Sequence, residues 1–172
     1  MKYNTIPKYP SAVIFMHWMM VLLIIMTYAF VEFRELFPKG TDPRNLMKLI
    51  HFSLGFTVFM SVLLRIYFRL SSNVIVEHLS IMAKLGHLFL YLFLLTMPLL
   101  GWLTLSAEGK DIPFFFVSLP ALITENKELA HTLEDWHETL GIIGYWAIGG
   151  HALMALYHHY VKREPIFNRI LP

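Results

Sequence analysis

Cysteine is absent from this 172-residue chain. Without thiols there is no disulfide, no cysteine-ligated iron–sulfur cluster and no covalently attached c-type haem. Charge is also scarce. Asp, Glu, Lys and Arg make up 15% of the residues, against about 25% in a typical soluble domain. The net charge is only +2, and neither a basic tract nor a nucleic-acid motif is present, which argues against nucleic acid as a partner. No repeat or low-complexity segment marks a second domain, and no feature specifies an oligomer. No separate signal peptide is expected either. The first apolar run is long enough to cross a bilayer and lacks a small-residue cleavage site.

Apolar surface takes the place of charge. Hydrophobic residues form 56% of the chain and the mean hydropathy is +0.55. Such a chain hides its apolar surface only if membrane lipid covers much of it. A membrane helix needs about 20 mainly apolar residues. Four runs qualify, predicting spans over 11–33, 46–68, 83–105 and 132–160 in one domain, 1–172. Pro38 to Pro43 is a turn signal between the first two. Ser71 to Ser80, which includes His78, joins the second and third. The longest loop, Ser106 to Ala130, carries Phe114, Phe115 and Phe116, expected at the membrane interface.

Basic residues in the loops set orientation. With both termini cytoplasmic, Lys2, Lys8, Arg65, Arg69, Lys84, Lys162, Arg163 and Arg169 lie inside. Arg34, Lys39, Arg44, Lys48, Lys110 and Lys127 then lie outside. This weak excess favours inward-facing termini.

Histidines inside the spans are the strongest functional signal, because a titratable ring in a membrane is costly and marks function by default. His137 and His151 lie fourteen residues apart on the fourth span. Fourteen steps of an α-helix rise about 21 Å and return to nearly the same face. Two such ligands would hold two haems, one near each surface. Gly141 and Gly144 share that face, and glycine leaves room for a flat macrocycle. Helix–helix contact is the competing explanation of those glycines.

Each haem needs a second ligand at matching depth. His17, near the cytoplasmic end of the first span, matches His151 as the inner pair. His51, near the outer end of the second, matches His137 as the outer pair, with Gly55 one turn away. His87 begins the third span and is the rival inner ligand, expected shallower than His17. It also reads as a headgroup-level histidine or a propionate contact. Arg65 and Arg69 end the second span, where a guanidinium could pair with a propionate or simply snorkel. His158 is a candidate for proton transfer or a quinone head group, or a plain interfacial histidine. Trp18, Trp102, Trp136 and Trp146 fit an aromatic belt. The expectation is therefore an all-α integral membrane four-helix bundle enclosing two haem b groups.

These residues also carry a family resemblance. His17–Trp18, Ile50–His51, Gly86–His87–Leu88 and Trp136–His137–Glu138–Thr139–Leu140 are its main stretches. Gly144–Tyr145, His151–Ala152 and His158–His159–Tyr160 continue it. Over nearly its whole length the chain resembles the bacterial cytochrome b561 family of inner-membrane di-haem proteins. Within that family it is most similar to the superoxide:quinone oxidoreductase type. The resemblance implies His17 and His151 as inner ligands and His51 and His137 as outer ones. It also implies oxidation of superoxide, or another redox partner, at the outer face and reduction of ubiquinone in the membrane. Superoxide is an anion, so Arg44, Lys48, Lys110 and Lys127 are candidates to attract it. Two other readings stand beside this one. The first is a haem-bearing anchor relaying electrons between quinone and a partner dehydrogenase or hydrogenase. The second is a transporter or structural bundle with core histidines and no redox role.

Overall fold

The computed structural model describes residues 8–72, 80–164 and 166–171. Lys2 and His78 lie outside them. Four long helices account for most of the chain: α1 (Ser11–Phe33), α2 (Asp42–Leu70), α3 (Ile81–Ala107) and α4 (Lys127–Leu156). All four are long and apolar enough to cross a membrane. Their surfaces carry large exposed apolar side chains, among them Leu22, Ile25, Leu64, Leu92, Ile142 and Trp146. Aqueous exposure of so much apolar area is untenable. The chain is a multi-pass membrane protein.

Three helices begin earlier than their apolar runs because polar residues start them. Asp42 and Pro43 form the first turn of α2, where proline lacks only an N–H that would be unpaired anyway. The Ser80 hydroxyl accepts from the Ala83 amide at 3.2 Å and opens α3. The Asn126 side chain accepts from the Leu129 amide at 3.0 Å and opens α4 five residues ahead of the expected span. At its other end α4 passes into a wider π-type turn over Tyr157–Val161.

The helices run up and down, α1 against α2, α2 against α3, and α3 against α4. The core lies among the first three. Met20, Val58 and Val62 are buried there, surrounded by Leu23, Ile24, Ile66, Tyr91, Leu94 and Leu95. Helix α4 adds nothing to that cluster, and its buried residues are Ala130 and Gly144. It is tied to α1 instead by the Tyr28 hydroxyl, which donates to the Gly141 carbonyl at 2.9 Å.

One end of the bundle gathers the first and last described stretches of the chain. The Tyr9 amide donates to the Arg169 carbonyl at 3.2 Å, and the Trp18 indole to Ile170 at 2.8 Å. We call this the terminal end. The opposite end carries a short antiparallel hairpin, β1 (Ile112–Phe114) and β2 (Val117–Leu119), pairing Ile112 with Leu119. Sequence analysis expected an interfacial loop here, without strands. The hairpin is pinned down. The Phe115 amide donates to the Ser53 hydroxyl at 2.8 Å, and the Phe114 ring packs edge-on against Phe56. Phe116 at the tip is fully exposed.

Candidate functional site

At the hairpin end, α2 and α4 bring two imidazoles together. The rings of His51 and His137 have centroids 6.3 Å apart and planes at 90°. Neighbouring backbone fixes each ring. Nδ1 of His51 donates to the Thr27 carbonyl of α1 at 2.9 Å. A carbonyl can only accept, so Nδ1 carries the proton and Nε2 keeps its lone pair. The His137 ring lies against α3 at Gly101, where an added Cβ would come 3.3 Å from its Cε1. Its Nδ1 is buried and without a hydrogen-bond partner.

At the terminal end, three imidazoles and a guanidinium share one region. The ring beside His151 is that of His87, with centroids 5.6 Å apart and planes at 70°. His17 stands within electrostatic range of His151, His87 and Arg65, with its ring edge-on to Trp18. The expectation that His87 lies shallower than His17 needs correction. Helix α3 starts at Ile81 and α1 at Ser11, so each histidine sits six residues into its helix. His87 remains the more exposed of the two. Arg65 donates to the Val13 carbonyl at 3.1 Å and so ties α2 to the first turn of α1.

The flanking residues divide sharply. An added Cβ on Gly55, Gly149 or Gly150 would meet nothing within 4 Å, and on Gly141 only the Met97 methyl at 3.7 Å. At Gly144 it would run into the Tyr28 hydroxyl and the Phe93 ring, so this glycine serves close helix approach. Arg69 bonds the Tyr9 hydroxyl at 3.3 Å and sits 4.8 Å over its ring. Nδ1 of His158 is paired with the Glu164 carboxylate at 2.8 Å.

The basic residues at the hairpin end also divide. Arg44, expected from the sequence to attract an anion, is instead buried. It donates to the Arg34 and Phe37 carbonyls at 3.1 and 2.8 Å and to Glu35 at 3.0 Å. It clamps the α1–α2 connection because those carbonyls, freed where α1 ends, need donors. Lys110 pairs with Glu108 and Lys127 with Glu125.

This donor set fits a haem. Metal–imidazole bonds of about 2.0 Å on either side of one ion place ring centroids about 6 Å apart, and His51 and His137 meet that spacing. Among the described residues no three His, Asp or Glu side chains form a cage for a bare ion. A porphyrin brings its own four nitrogens and asks the protein for two. The open glycine faces agree with a flat guest between helices. Sequence reasoning missed Thr27 and Gly101, because their contribution is backbone placement.

Comparison with known proteins agrees with this geometry. The family model of prokaryotic cytochrome b561 matches residues 8–172. The chain is 32% identical over 171 residues to Cytochrome b561 homolog 1 of Escherichia coli K12, covering 96% of this chain and 97% of that protein. It is 34% identical over 171 residues to the Probable superoxide oxidase CybB of Yersinia pestis, covering 96% of each. Cytochrome b561 homolog 2 of E. coli K12 is 28% identical over 135 residues, covering 71% of this chain and 69% of that protein. A transmembrane four-helix architecture with opposed histidines, matched over almost its full length by this family, places the chain in the prokaryotic cytochrome b561 family.

Proposed function

We propose that this membrane electron-transfer protein oxidises superoxide to oxygen at its hairpin end and reduces ubiquinone in the bilayer, using two haem b groups. His51 and His137 would hold one group. His17 and His151 would hold the other, with His87 flanking it. The observation that carries the proposal is the perpendicular imidazole pair, 6.3 Å apart, that α2 and α4 present to each other.

Haem held between two imidazoles supplies a one-electron couple, suited to a radical donor and to a quinone taking two electrons in turn. The chain supplies the rest. The Thr27 carbonyl fixes the tautomer of His51. The continuous α4 keeps His137 and His151 about 21 Å apart along one face, so its two sites lie at different depths in the membrane. His17 is preferred to His87 because it is the less exposed of the two, and a low-spin ligand belongs in an enclosed site. At the terminal end, Arg65 lies within electrostatic range of His17, His87 and His151 and would pair with a propionate.

Superoxide is proposed because a relative matched over 96% of both chains is named a probable superoxide oxidase. Lys48, partly exposed on α2 and three residues before His51, is the cation best placed to draw an anion toward that pair. The hairpin end would then face the cell exterior of a bacterial inner membrane, with both termini cytoplasmic.

The test uses purified chain. Its reduced spectrum should show the sharp bands of low-spin b haem, two per polypeptide. Enzymatically generated superoxide should reduce it without oxygen as acceptor, and added ubiquinone should reoxidise it. A colourless protein, or one that superoxide leaves oxidised, overturns the proposal.

A further inference from the structure

On the seam between α1 and α4 a carboxyl and a phenol meet at the bundle surface toward the hairpin end. The Tyr145 hydroxyl lies 2.6 Å from Oε1 of Glu32. Glu32 belongs to the last turn of α1, and Tyr145 lies well inside α4. Neither side chain turns into the bundle. Both are exposed on its surface, Tyr145 by 45%, where a membrane protein presents lipid. The Tyr28 ring packs against the Tyr145 ring, with centroids 4.4 Å apart, and forms a wall beside the pair.

Tyr145 lies within the α4 span, and its hydroxyl donates to a carboxylate in the last turn of α1, so the pair joins the apolar surface to the polar helix end. Holding α1 to α4 does not need this contact, because the Tyr28 hydroxyl already bonds the Gly141 carbonyl across the same seam. What Glu32 adds is a carboxylate oxygen that accepts from the Tyr145 hydroxyl and can relay a proton to it. The pair lies on the two helices, α1 and α4, that also serve the opposed imidazoles. Thr27, which orients His51, is next to Tyr28, and Gly141 lies one turn after His137. A molecule docked here therefore comes from lipid, can take protons, and sits beside the site proposed for electrons.

We propose that Glu32, Tyr145 and Tyr28 form the docking and protonation site for a lipid-soluble benzoquinone. This rests on the redox reading above and gives that reading its acceptor site. Two superoxide anions each give up one electron and leave as oxygen. The quinone takes both electrons with two protons and leaves as the quinol. For each proton, the Tyr145 O–H bond breaks as a quinone oxygen gains hydrogen, and a proton taken from water at the hairpin end and relayed through Glu32 restores the phenol. The charged groups nearest along the chain, Arg34 and Glu35, are held to each other and to Arg44, so they do not compete for that proton.

The experiment splits the reaction in two, using detergent-purified holoprotein. Superoxide reduces the protein in one half, and ubiquinone-1 reoxidises it in the other, both read at the haem band. Tyr145→Phe and Glu32→Gln should leave the first half unchanged and slow the second about tenfold or more, the scale of a lost general acid. Unchanged reoxidation in both variants overturns the site. Should either variant lose haem, unaltered protein is irradiated with a photoreactive azido-ubiquinone. Labelling of peptides containing Tyr28, Glu32 or Tyr145 supports the proposal, and labelling confined to other segments overturns it. Failure of superoxide to reduce the unaltered protein would instead strike the redox reading, while photolabelling still reports on the site.

Discussion

The His51 imidazole belongs to α2, but the Thr27 carbonyl of α1, 2.9 Å from its Nδ1, aims it. The facing His137 ring belongs to α4 and rests against Gly101 of α3. One pair of rings thus draws on all four helices. Replacing either with alanine removes one side of the pair and leaves the terminal-end histidines untouched. His51→Ala and His137→Ala should each lose roughly one haem of two, measured as haem per polypeptide. Loss of both groups, or of neither, would break the link between these rings and a single site.

Gly144 gives a stability prediction without any cofactor. An added methyl would meet the Tyr28 hydroxyl and the Phe93 ring at once, and neither has a free direction to move along a packed seam. Gly144→Ala should destabilise the bundle by about 1–3 kcal/mol, the usual cost of overpacking. Gly149→Ala, with nothing of the polypeptide within 4 Å, should cost far less before haem is added. Thermal melts of the two variants in one detergent compare them directly.

These glycines mark how far the sequence was legible. Four spans could be read because a bilayer demands long apolar runs, and α1 kept its expected bounds. The pairing of His51 with His137 was expected from matching depth in oppositely running spans, and the two rings lie 6.3 Å apart. The early start of α4 was hidden because Asn126 and Lys127 are polar, and an apolar criterion skips a capped turn. That same criterion made His87 look shallow. The hairpin was hidden because Phe115 occupies a left-handed turn position (φ +51°) that usually advertises itself with Gly or Asn. Gly141 and Gly144 share a helix face, yet one faces near-open space and the other a tyrosine and a phenylalanine. Only the packing of α1 and α3 separates them.

Arg44 and Lys48 lie one turn apart on α2 but should respond differently. Arg44 is spent on two carbonyls and Glu35. Arg44→Gln should therefore lower thermal stability, by about 1.5–3 kcal/mol for hydrogen bonds made by a charged donor, part of it offset because Glu35 is solvent-screened. Lys48→Gln should leave stability alone, slow reduction by superoxide, and flatten its dependence on ionic strength. Equal salt dependence in wild type and Lys48→Gln would remove Lys48 from the steering argument.

The C-terminal tail offers a pH test outside the membrane. The Glu164 carboxyl is held below its ordinary value of 4.5, chiefly by its hydrogen bond from His158, with Lys162 and Arg169 adding attraction. A depressed carboxyl favours the docked tail while it is ionised. Its contribution is present above the ordinary carboxyl value and fades as pH falls through the lowered one. Tail docking also makes the Trp18 indole hydrogen bond to the Ile170 carbonyl. Acidification below about pH 4.5 should therefore lower the amide protection of 166–171, relative to intrinsic exchange at each pH, before the helices respond. Glu164→Gln should show the lower protection already at neutral pH, with no further fall on acidification. An exchange profile identical in both proteins at every pH would mean that the tail is held by the Tyr9 and Trp18 contacts alone.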